Sequence, residues 1–408
     1  MSRRRYSAAA VTLCLTALHA CGGGGAGSST PPPSPPLPTG SNVAPLIVDA
    51  GPSQTGVNVP SVSVTICTPG TTTCQTIDHI LVDTGSSGLR IIAKAITSTM
   101  LTLPAATTTA GDPMYECYPF AEGDSWGSVR LADVQLADGK ATNLKVHLIA
   151  DSAAPAAPTG CNASQNTIDA VHANGLLGIN VFLTDCGDGC NLASAPGGGL
   201  YFVCPAGQCA GSLTSPAAQV LNPISQFATN NNGVMIVLPS ISATGASTVS
   251  GALVLGIDTQ SNNQLGAAAV LSVGPQSGNF TTVFAGNTYT EGGYIDSGSN
   301  GNFFSYALTN CTVNVGWYCP AMAATLSATN QGVGVSSATS TVSFSVASLD
   351  ALSNANPGYA AFENIAGTNP IAGFDWGLPF FFGRRVSVAF EGRATAAGAG
   401  PFFAYADF

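Results

Sequence analysis

Charged side chains are scarce in this sequence: Asp, Glu, Lys and Arg make up 8% of its 408 residues, against roughly 25% in an average globular chain. Basic residues are the scarcest, with 11 Lys and Arg against 21 Asp and Glu, for a net charge of −10. Beyond Arg3-Arg4-Arg5 no run of three basic residues recurs, which excludes the basic stripe of a nucleic-acid surface. The four His (His19, His79, His147 and His172) stand apart in an H-E-x-x-H-free sequence, so a zinc hydrolase pattern is absent. Glycine-rich stretches lack a following G-K-S/T, which excludes a phosphate-binding loop. The apolar run Ala8 to Leu18 is too short to span a bilayer. Low charge without a core would mean disorder, but 45% hydrophobic residues argue for a folded interior.

What the chain has instead is Gly, Thr, Ser, Ala and Val in short apolar runs broken by turn residues. This composition predicts an all-β protein. Its length suits two domains. Residues 1–21 read as a signal peptide: the three arginines, which weakly resemble a twin-arginine signal, precede an apolar run ending in Leu18-His19-Ala20-Cys21. That box resembles the bacterial lipoprotein cleavage site, with Cys21 as the lipid-bearing residue, although His19 is unusual there and cleavage near Ala20 by an ordinary signal peptidase is the alternative. Residues 22–42 are a Gly/Ser/Pro-rich tether, too featureless for an inhibitory prosegment. The expected location is the cell envelope, lipid-anchored at the outer membrane.

Of twelve Cys, Cys14 lies in the signal and Cys21 is the lipid site, which leaves ten. Export favours disulfides over a zinc site. Close spacing suggests Cys67–Cys74, Cys186–Cys190, Cys204–Cys209 and Cys311–Cys319, leaving Cys117–Cys161, though sequence alone leaves other connectivities open.

One internal repeat stands out. A strand-like run ends in Asp83-Thr84-Gly85-Ser86, and another ends in Asp296-Ser297-Gly298-Ser299. An apolar segment with Gly follows each: Gly175-Leu176-Leu177-Gly178 begins 92 residues after Asp83, and Gly377-Leu378-Pro379-Phe380 begins 81 after Asp296. One Asp-Thr-Gly is an ordinary turn. Two suit a chemistry that needs two carboxyls, one ionised to activate water and one protonated to donate to a carbonyl oxygen. Gly85 and Gly298 would allow the tight turns and offer N–H groups. Ser86 and Ser299 would orient the carboxylates, and Thr84 and Ser297 would bond across the junction.

These segments resemble the pepsin-like aspartic peptidase family. "ILVDTGSSGLRI" and "GGYIDSGSNGNFF" look like its two catalytic loops, and "NGLLGIN" like the segment threaded behind the first. "GALVLGID" resembles the strand closing its N-terminal lobe, and "GLPFFFGRRVSVAFEG" its C-terminal apolar-Gly segment and final strands. The resemblance implies a bilobal fold of two pseudo-symmetric β-barrel-like lobes with a cleft between them, residues 43–258 carrying Asp83 and residues 259–408 carrying Asp296. It implies a monomeric aspartic-type endopeptidase acting on peptide or protein substrates, with neither metal nor organic cofactor. The chain also looks like a bacterial lipoprotein group with this double motif and no established activity, so a catalytically inactive surface binding protein is the alternative. Two positions depart from the family: Arg90 stands where a Trp follows the first loop, and the hairpin Tyr over the cleft is Tyr118, with Phe120 as alternative.

Three other patterns compete. Gly123-Asp124-Ser125-Trp126-Gly127 matches G-x-S-x-G, but the alternating stretch after it predicts a strand, whereas a nucleophile elbow opens a helix. Asp185 to Cys190 could hold calcium but lacks the distal Glu, and reads as a small disulfide loop. Phe380, Phe381 and Phe382 read as core.

Overall fold

In the computed structural model, residues 36–192, 199–334, 338–369 and 373–408 are described. Cys21, the signal peptide and tether residues 22–35 lie outside them. Alternating and short apolar runs become strands, as the composition predicts, and the described helices are short, such as Ile168–Val171 and Leu349–Ala355. The fold is all-β.

The hairpin read around Pro69-Gly70 forms from strands Val59–Cys67 and Cys74–Asp83. Gly70 takes a positive φ of 71° at the turn, where a Cβ would be strained. Cys67 faces Cys74 in the register, and the two are bonded. The four pairings suggested by spacing and the remaining Cys117–Cys161 are all formed, which fits an oxidising compartment outside the cytoplasm. Among the described residues no helix is long and apolar enough to cross a membrane.

Six strands close a ring. Val59–Cys67 pairs with Cys74–Asp83, which runs parallel to Gly175–Ile179. Gly175–Ile179 pairs with Ser87–Ile92, which runs parallel to Gly139–Ile149. Gly139–Ile149 pairs with Gly123–Leu136, which returns to Val59–Cys67. Inward residues such as Val64, Ile80, Leu89, Val134, Val146 and Leu177 are buried together, each worth roughly 1.5–3 kcal/mol of apolar burial.

A seven-stranded sheet forms from the later part of the chain, with Asn287–Ile295 parallel to Phe374–Trp376 and Asn302–Phe303 antiparallel to it. Its core is aromatic: Phe304 stacks on Phe374 at 4.9 Å, and Trp376 packs on Phe380 at 5.2 Å. Phe380, Phe381 and Phe382 are buried, as expected.

Between these lies an antiparallel run of six strands: Val43–Asp49, Val249–Leu255, Gly233–Leu238, Arg384–Ala389, Phe402–Asp407 and Ala269–Ser272. It draws strands from both sides of residue 258 into one sheet. The chain's early and late portions are thereby held in fixed register, and their two Asp-containing loops meet.

Candidate functional site

Asp83 ends the strand Cys74–Asp83 and Asp296 follows the strand Asn287–Ile295, each beside a threaded partner. Asp83 lies opposite Gly178, and Ile295 opposite Trp376, which sets Asp296 beside Gly377. The structural repeat therefore aligns Leu177-Gly178 with Trp376-Gly377, three residues later in the first half than the match that starts at Gly175. Both glycines are required by close approach: a Cβ on Gly178 would lie 2.7 Å from the Ser87 carbonyl carbon, and one on Gly377 would strike the Gly301 carbonyl.

The loops interlock symmetrically. Thr84 Oγ1 donates to the Ile295 carbonyl (2.8 Å) and accepts from Ser297 N (2.9 Å). Ser297 Oγ donates to the Val82 carbonyl (2.6 Å) and accepts from Thr84 N (3.1 Å). Both side chains are buried, so these four bonds replace water that the junction has expelled.

Within each loop the backbone and a hydroxyl orient the carboxylate. Gly85 N donates to Asp83 Oδ1 (2.7 Å) and Ser86 Oγ to Asp83 Oδ2. Gly298 N donates to Asp296 Oδ1 (2.8 Å) and Ser299 Oγ to Asp296 Oδ2 (3.1 Å). Across the junction, a Cβ on Gly85 would lie 2.6 Å from Asp296 Oδ2, and one on Gly298 would lie 2.8 Å from Asp83 Oδ1 and 3.1 Å from Asp296 Oδ1. Neither glycine has a positive φ. Their smallness makes room for the opposite carboxylate. Burial first, and then the Asp83 carboxylate beside it, push Asp296 up to about 8. A second carboxyl beside it disfavours ionising both at once.

A cavity of about 230 Å³ opens over the pair, lined by Asp83, Asp296, Leu81, Leu176, Phe120 and Glu122 among others. Phe120 and Glu122 belong to the hairpin of strands Met114–Phe120 and Gly123–Leu136. Cys117–Cys161 ties this hairpin to the loop that follows strand Gly139–Ile149. Phe120 faces the cavity, whereas the Tyr118 ring, 5.0 Å from it, sits under Arg90. The G-x-S-x-G stretch is part of the same hairpin; Ser125 is buried, with its Oγ donating to the Tyr118 carbonyl (3.3 Å).

Arg90 is fully buried. It donates to the Ser87 carbonyl (2.7 Å), Glu116 Oε1 (2.9 Å) and Asp185 Oδ2 (3.1 Å). Burial raises Glu116 most, but Arg90 and His147, with hydrogen bonds from Asp185 and Arg90, together outweigh it and hold that carboxyl below its ordinary value. Burial and then Glu116 push Asp185 well above its ordinary value. Burial drives the His147 imidazole, 3.2 Å from Glu116 Oε2, down to about 4. Arg90 and Glu116 thus form the ion pair at the centre of the cluster. Tyr201 caps it, donating to Asp185 Oδ2 (2.8 Å) and accepting from Val220 N (2.6 Å). No sequence spacing joins Glu116, Asp185 and Tyr201 to Arg90, from which they lie 26, 95 and 111 residues away.

Asp375 likewise carries no motif or spacing in the sequence. It lies in the strand Phe374–Trp376, buried, with Ser299 Oγ 2.6 Å from its Oδ2.

Residues 38–405 match the family described as Protein of unknown function (DUF3443), and the chain belongs to that family. No match is found among curated proteins.

Proposed function

We propose that this family member is an aspartic-type endopeptidase of bilobal, pepsin-like architecture, exported and tethered through Cys21. The observation that carries the reading is the convergence of Asp83 and Asp296. Each carboxylate packs against the other loop's glycine, and burial with Asp83 nearby holds Asp296 up to about 8. One shared proton is the charge state that acid–base work on water requires.

In this mechanism one carboxylate takes a proton from water as the oxygen attacks a peptide carbonyl. The protonated partner donates to the carbonyl oxygen, giving a tetrahedral diol. Collapse of the diol returns a proton to the pair, while the other passes to the departing amine, and the C–N bond breaks. No covalent adduct forms. The Thr84–Ser297 interlock fixes the distance between the two acids, and the hairpin bearing Phe120 and Tyr118 covers an extended peptide.

The test is a peptide library scanned from acid to neutral pH, with and without a statine inhibitor, on wild type, Asp83→Asn and Asp296→Asn. Inhibitor-sensitive cleavage by wild type and loss in both folded variants are expected. Cleavage that survives either substitution sinks the mechanism, and no cleavage at any pH favours a binding protein.

A further inference from the structure

We propose that Asp375 is a positioning acid: it stays protonated at neutral pH, donates to Ser299 Oγ, and so aims the single hydroxyl proton of Ser299 at Asp296 Oδ2. This rests on the paired-carboxylate reading of Asp83 and Asp296.

The argument begins with proton counting. Ser299 Oγ lies 2.6 Å from Asp375 Oδ2 and 3.1 Å from Asp296 Oδ2. A hydroxyl has one proton and can donate to only one of them. If Asp375 were ionised, the shorter contact would draw that proton, and Asp296 would lose its hydroxyl donor. If Asp375 carries the proton, its O–H donates to Ser299 Oγ, and both contacts become hydrogen bonds with one direction.

Burial decides between the two. Asp375 is 4% exposed, and its Oδ1 has no hydrogen-bond partner among the described residues. An ionised carboxylate with one bond and an empty oxygen in such a site is expensive. The titratable groups facing it are Asp296, Asp83, Glu122 and Tyr294, none of them a cation. In the sheet its neighbours are Tyr294 and Phe303. Burial, followed by the Asp296 charge, accordingly raises Asp375 well above the ordinary carboxylate range.

The consequence for the pair is directional. A neutral Asp375 leaves Asp296 Oδ2 with a donor, which favours its anion. Ionising Asp375 would remove that donor and set a negative charge beside Asp296.

The experiment is a pH titration of full-length protein labelled with carbon-13 at aspartate Cγ, followed by NMR, in wild type, Asp375→Asn and Asp375→Leu. In wild type the Asp375 carbon, assigned by its loss in Asp375→Asn, should keep the protonated shift through pH 7. Asp375→Asn, whose amide still donates to Ser299, should leave the Asp296 midpoint unchanged, and Asp375→Leu should leave it unchanged or raise it. An ionised Asp375 carbon at pH 7 overturns the assignment, as does a lowered Asp296 midpoint in either variant, because both mean that wild-type Asp375 is an anion. These readouts need no substrate. If they come out as expected while no peptide is cut, the peptidase reading fails and the Asp375 assignment stands.

Discussion

The guanidinium of Arg90 lies 3.4 Å from the centre of the Tyr118 ring. One face of a buried cation therefore braces the hairpin over the two acids, while its edges bind Ser87, Glu116 and Asp185. The hairpin is supported here by a charge with Glu116 as its counter-charge, and the support passes through the ring face of Tyr118.

Removing that cation should cost far more than removing an exposed one. Arg90→Met leaves Glu116 buried without its partner, a change worth roughly 3–5 kcal/mol. Arg90→Lys keeps the charge but loses the planar fork that reaches three acceptors, and should be intermediate. Chemical denaturation of the three proteins checks the order. Equal stability of wild type and Arg90→Met would contradict the account.

Tyr118 and Phe120 should separate by kind of defect. Tyr118→Phe keeps the ring under Arg90 and should change little in stability or turnover. Phe120→Ala removes a wall of the cavity beside Leu81 and Leu176, so KM should rise more than kcat falls. Steady-state kinetics on one peptide substrate separates the two effects.

Much of this was legible in the sequence. The two Asp-Ser/Thr-Gly-Ser runs announced themselves as a repeat, and the Thr84–Ser297 interlock follows from their small hydroxyl residues. The Cys67–Cys74 pair could be anticipated because seven residues and a Pro-Gly turn already close it. What stayed hidden depends on long-range register. Val43 pairs with Val254, and nothing local to either segment announces that contact. Asp375 sits between Phe374 and Trp376, where an isolated acid in an apolar run carries no spacing to interpret; only the fold brings it to Ser299. The match from Gly175 slides by three residues because both Gly175 and Gly178 sit at close backbone approaches, and only the pairing of Asp83 with Gly178 sets the register.

The interlock itself invites a stability test. Thr84→Val keeps the shape but removes a hydroxyl that both donates to Ile295 and accepts from Ser297. It leaves two buried backbone groups unpaired, at roughly 1–3 kcal/mol each. Ser297→Ala should cost a similar amount, and the double variant should cost less than the sum, because the two hydroxyls serve one junction. Full additivity by urea denaturation would mean that the two sides are independent.

The raised Asp296 also predicts how stability varies with pH. An acid whose folded value lies above its unfolded one, about 3.9, binds its proton more tightly when folded. Its contribution to stability is complete below the unfolded value and is lost as pH rises through the folded value of about 8. Between roughly pH 4 and pH 8 wild type should therefore lose stability at this site as pH rises. Asp296→Asn, which cannot ionise, should flatten that slope, and its one amide oxygen can still accept from Gly298 N, as Asp296 Oδ1 does. Urea midpoints measured across this window for both proteins give the comparison, and the difference between the two curves isolates Asp296 from other groups that titrate there. A difference curve that is flat, or that rises with pH, would mean that Asp296 is already ionised at acid pH, and the shared proton on which the chemistry depends would be lost with it.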